Sequence, residues 1–149
     1  MRAMATTEEI ARAKDTLPRG WGRFGKAIDH IAGQLADDEP LLAVVVAIDP
    51  ALDQGRVPGG HASALAVFGA MKRTNVVLGA TDRRILVVAT AILGGPRETA
   101  ELDYDGLTIA PGAKETGFSM TLAGAQVDFS GAAKTQLPAF VETVTAHAR

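Results

Sequence analysis

The sequence predicts a mainly β chain with flanking helices (α+β). Seven short strands would form a small barrel or split sandwich, capped by a C-terminal helix and preceded by an N-terminal helical hairpin. Three observations predict this. Beyond residue 40, apolar residues recur with period two in short runs between turn residues, as in sandwiches and barrels. Before residue 37 and after residue 134 the apolar period is helical. The 149 residues, 47% apolar and 21% charged, suit one ordinary domain with a sizeable core.

The N-terminal segment, residues 1–36, reads as two helices. Thr6-Thr7-Glu8-Glu9 has the form of a capping box, and Ile10, Ala13 and Leu17 follow at helical spacing. Pro18-Arg19-Gly20 breaks the run. Trp21, Phe24, Ile28, Ile31 and Leu35 then alternate by three and four, a narrow apolar seam. Asp37-Asp38-Glu39-Pro40 is polar and ends in proline, so the β domain is placed over residues 37–149.

The strands follow in order. Leu41–Asp49 is valine-rich. Asn75–Thr81 and Arg84–Thr90 flank a tight turn at Asp82-Arg83. In Glu98–Tyr104, Ala100, Leu102 and Tyr104 share one face and Glu101 and Asp103 the other. Leu107 and Ile109 precede Pro111-Gly112; Phe118, Met120 and Leu122 alternate up to Gly124; Val127 and Phe129 alternate up to Gly131. A last helix from Thr135 to His147 carries Leu137, Phe140, Val141 and Val144 as its apolar stripe, with Thr135 as the expected cap. The open end of a barrel would bury that stripe. Pro50–Gly60 reads as a loop, and Ala62–Met71 as strand, helix or loop.

Composition narrows the function. There is no cysteine, which excludes disulfides, thiolate metal sites and a cysteine nucleophile. A net charge of −2 supplies no global basic field for nucleic acid. Early Glu8 and Glu9 and short apolar runs speak against a secretory signal or a membrane helix, and the chain reads as cytoplasmic. His30, His61 and His147 stand alone, without a further ligand at helical spacing. Gly55–Gly60 lacks the lysine and hydroxyl of a phosphate loop. The expectation is no catalytic residue, no metal and no cofactor.

Residues Gly79-Ala80-Thr81-Asp82-Arg83-Arg84-Ile85-Leu86-Val87 look like the Gly-x-Thr-Asp-x-Arg hairpin of bacterial pleckstrin-homology-like domains, in particular the YokE-like group. Asp38-Glu39 resembles that family's acidic lead-in to the first strand. Leu102-Asp103-Tyr104-Asp105-Gly106-Leu107-Thr108-Ile109 resembles its Pro-Tyr-x-x-Ile segment, with Asp103 in place of proline. The resemblance covers residues 38–147 and departs in the long connection after the first strand. It implies a bent barrel of two sheets closed by the C-terminal helix. It also implies a scaffold that binds lipids, peptides or proteins and is rarely an enzyme; the leading reading is a non-catalytic module that binds a protein, a peptide or a second copy of itself. A membrane module or a small-ligand carrier are the alternatives.

The candidate contacts fall in three places. Arg19, Trp21, Arg23, Phe24 and Lys26 could lie on an anionic membrane or pack on the domain, since residues 10–28 carry five cations against Asp15 alone. Leu65 and Phe68, with Lys72 and Arg73, lie in the uncharged stretch and its basic end. Arg83 and Arg84 could hold a phosphate, or could be solvated or paired beside a turn closed by Asp82.

Overall fold

A computed structural model describes residues 7–52, 75–90, 95–112, 115–122 and 125–148. Helices α1 (Thr7–Asp15) and α2 (Gly25–Gly33) come first, with a 3-10 turn, Gly22–Phe24, leading into α2. The strands are β1 (Ala43–Leu52), β2 (Val76–Ala80), β3 (Arg84–Thr90), β4 (Pro96–Asp103), β5 (Leu107–Pro111), β6 (Phe118–Leu122) and β7 (Ala125–Ala132). Helix α3 (Leu137–His147) ends the fold. The fold is therefore mixed α and β, and each expected strand has its counterpart. Thr6, most of the Pro50–Gly60 loop, all of Ala62–Met71, and Leu65, Phe68, Lys72 and Arg73 with them lie outside the described residues.

All strand pairs are antiparallel, in the order β4-β3-β2-β1-β7-β6-β5. Strand β1 is the pivot. It pairs with β2 from Ala43 to Ala47 and with β7 from Ala47 to Leu52. The strand runs through Pro50, where local signals alone would end it. Both wings of the sheet bury their inner faces in one core. Val45, Leu78, Val87 and Leu102 meet Phe118, Met120 and Phe129 there, under Phe140 and Val144 of α3. Phe118 stacks on Phe129 at 4.5 Å between centroids.

A second core lies on the outer face of β1–β3. Phe24, Ile28, Ile31 and Leu35 pack there on Val44, Val46, Val77, Leu86 and Val88. These strands are thus covered on both faces, which is why Val76–Ala80 and Ile85–Ala89 read as unbroken apolar runs. Gly79 belongs to this packing. A Cβ there would lie 2.8 Å from Cγ2 of Ile31, so only glycine admits α2 this close.

Two expected turn devices are replaced by others. Thr135 does not cap α3; its hydroxyl donates to the carbonyl of Thr16 at 2.5 Å, and the helix begins after Gln136 without a side-chain cap. Asp82 does not close the hairpin. The Thr81 hydroxyl accepts the amides of Arg83 and Arg84, both at 3.1 Å. Among the described residues no helix is long and apolar enough to cross a membrane.

Candidate functional site

Glu9, Arg12 and Ala13 form one face of α1, as helical spacing dictates, and Thr16 follows just past its end. They look across a groove at Leu41, Leu42, Ala43 and Val44, while Thr135, Gln136 and Ala139 close one end. The space is about 170 Å³. Leu41 and Leu42 lead into β1, and Ala43 and Val44, its first two residues, cannot share one face because side chains alternate. The groove therefore runs along the edge of β1. The cause is the stagger at the pivot: β2 pairs with β1 from Ala43, but β7 pairs only from Ala47. Leu42 is 44% exposed at the mouth, the one large apolar side chain among the described residues that is so exposed.

The buried amide of Gln136 stands in for the missing strand. Its Oε1 accepts the Val46 amide at 2.9 Å, next to the last backbone bond, from the Ala133 amide to the Val46 carbonyl. Its Nε2 donates to the Thr16 hydroxyl at 2.9 Å, and that hydroxyl donates to the carbonyl of Ala13. One relay thus ties the edge of β1 to the end of α1. Helix α1 itself buries no residue fully, and its Lys14 ammonium pairs with Asp29 at 2.9 Å.

Just before the groove stands Glu39, 1% exposed. Arg84 grips it with two nitrogens, Nε to Oε2 at 3.0 Å and Nη2 to Oε1 at 2.9 Å. The Thr81 hydroxyl donates to Oε2 at 2.7 Å, and the Ala36 amide to Oε1 at 3.1 Å. Burial alone would raise the carboxyl. These donors and the Arg84 charge outweigh it and bring the pKa from 4.5 to about 2. Arg84 also reaches Glu101 and the carbonyl of Gln34, and the Glu39 bond holds its own pKa up. Tyr104 donates to the carbonyl of Thr81 at 2.6 Å; burial, then the charges of Asp82 and Glu39, push it up to about 12.

A search against protein-family models and against curated proteins finds no match.

The candidate residues separate on this structure. Arg84 is spent on Glu39 and Glu101, and Arg83 on Asp38 at 2.7 Å, so the hairpin arginines are internal partners rather than a ready phosphate clamp. Phe24 is 1% exposed and cannot touch lipid or partner from the second core, which corrects its place among the contacts. Arg19, Arg23 and Lys26 are exposed and Trp21 partly so, on the turn before α2 and, for Lys26, in its first turn. His30 meets the Thr99 hydroxyl at 2.9 Å, and His147 stacks on Tyr104 at 5.6 Å. Among the described residues no group of three or more His, Asp and Glu is placed to hold a metal.

Sequence reasoning missed the groove and Gln136. Leu41 and Leu42 are adjacent and alike, yet one is buried and the other exposed. Nothing local marks Gln136, since its bonds go to residues 90 and 120 positions away. Glu39 had one signal: it is the last of three acids ahead of an apolar strand, with a basic pair at the hairpin to receive one of them.

Proposed function

We propose that the chain is a non-catalytic recognition module of pleckstrin-homology-like architecture, which takes an extended segment of a protein partner along the β1 edge. The architecture is supported by the antiparallel meander in the order β4-β3-β2-β1-β7-β6-β5 and by α3 packed into its core. The observation that carries the function is the groove beside residues 41–44, where β1 has lost β7 and Leu42 stands exposed. Strand edges recognise extended peptides through backbone bonds, and adjacent pockets select side chains. At about 170 Å³ the space is smaller than the roughly 300–1,000 Å³ of small-molecule sites. It suits one apolar anchor side chain better than a whole ligand, which ranks the carrier reading lower.

The test is selection of peptides from a random display library on the full chain, followed by affinity measurement against Ala139→Phe. Ala139 is exposed on the groove wall, so phenylalanine there fills the space without entering a core. The expected result is a set of peptides sharing one large apolar residue that loses at least about tenfold in affinity, the value of one buried anchor. An unenriched library, or peptides that bind the variant equally well, would refute the reading.

A further inference from the structure

The turn between α1 and α2 carries a charge arrangement that the fold does not use. Residues 10–28 hold five cations. Two are neutralised locally: Arg12 by Glu8 at 3.2 Å and Lys14 by Asp29 at 2.9 Å. The other three, Arg19, Arg23 and Lys26, are exposed and have no ion pair among the described residues. Arg23 only donates to the Gly20 carbonyl and lies over the Phe24 ring at 4.5 Å. Stability does not explain Lys26. Lys26 sits in the first turn of α2, where no acid is present and the helix dipole disfavours a cation.

Trp21 lies among them, partly exposed and tilted against Phe24 at 5.9 Å. Its surroundings are open: Gly20 adopts φ of +89°, and side chains added at Gly20 or Gly22 would meet nothing within 4 Å. The exposed acids that flank it in sequence are Asp15 and Asp29, and Asp29 is paired with Lys14. Other exposed acids, among them Glu101 and Asp103 on β4, Asp128 on β7 and Glu142 on α3, lie on other elements. The chain is net negative, so an anionic surface would be met by this turn and not by the rest.

We propose that the Arg19–Lys26 turn is a membrane contact, which seats Trp21 at the headgroup level of an anionic lipid surface while Arg19, Arg23 and Lys26 face the lipid charge. Two weak signals are combined, as peripheral binding requires: a cationic patch and one amphipathic ring. Three cations fall short of the roughly six to ten phosphate contacts of a duplex-DNA binder. This surface is separate from the β1 groove, and neither proposal depends on the other.

Trp21 is the sole tryptophan of the chain, so its fluorescence reports on this turn alone. The full chain is titrated with vesicles of phosphatidylcholine, with and without phosphatidylserine, at low and high salt. The expected result is a blue shift of the emission and co-sedimentation with the anionic vesicles only. At about fivefold per cation, the preference over neutral vesicles is about a hundredfold, and salt weakens it. The double variant Arg19→Glu, Lys26→Glu should lose that preference while keeping its circular dichroism and thermal midpoint. Absence of binding, binding without a blue shift, binding that the folded double variant retains, or tighter binding to an oligonucleotide than to vesicles would each overturn the proposal.

Discussion

Replacing Glu39 by glutamine keeps the shape of a side chain that is 1% exposed and removes its charge. Its folded pKa is about 2 against an ordinary 4.5, because Arg84, Thr81 and the Ala36 amide outweigh burial. A depressed carboxylate stabilises the fold above its unfolded pKa, and the contribution fades as pH falls from 4.5 towards 2. At about 1.4 kcal/mol per unit, that gap is worth about 3 kcal/mol. Breaking a buried ion pair costs about 3–5 kcal/mol when the partner is stranded. Arg84 is not stranded: its side chain is 26% exposed and keeps Glu101. Glu39→Gln is therefore expected to cost about 2–3 kcal/mol near neutral pH. The assay is urea unfolding of both proteins across the acid range. The difference between them should shrink towards zero as pH approaches about 2, since carboxylates common to both proteins cancel. A variant within about 0.5 kcal/mol of the parent at neutral pH, the range of ordinary surface changes, would refute the reasoning. So would a difference that stays constant on acidification.

Gly79→Ala should destabilise by about 1–3 kcal/mol, because its Cβ would meet Ile31 Cγ2 at 2.8 Å. In an Ile31→Ala background the same change should cost almost nothing, and additive costs in a double-mutant cycle would show that α2 is not what requires the glycine. Gln136→Ala should leave the buried Val46 amide without an acceptor, at a cost of about 1–3 kcal/mol. Hydrogen exchange at Val46 should accelerate selectively, and unchanged protection there would dismiss the role of the Gln136 amide.

The sequence by itself determined what is local. Period-two runs place β4 to β7, because alternation along a strand depends on residues two positions apart. Leu102 and Tyr104 turn inward and Glu101 and Asp103 outward, as that alternation requires. The stripe Leu137, Phe140 and Val144 marks α3 and its buried face in the same way. Even the second core left a trace, since β2 and β3 lack alternation and only strands covered on both faces can do without it.

The tertiary structure decided what depends on distant partners. Glu39 and Asp38 are neighbours and both acidic, yet only Glu39 is buried, because Arg84 arrives from 45 positions away. The same holds for the cations: Lys14 is paired because α2 brings Asp29 beside it, while Lys26, one turn before Asp29 on the same helix, has no ion pair among the described residues. The groove exists only because β7 joins β1 four residues later than β2 does, and that stagger is a property of pairing rather than of any one strand. Chemistry at a single position sets what a side chain can do; which charge or edge remains available is set by what the folded chain places next to it.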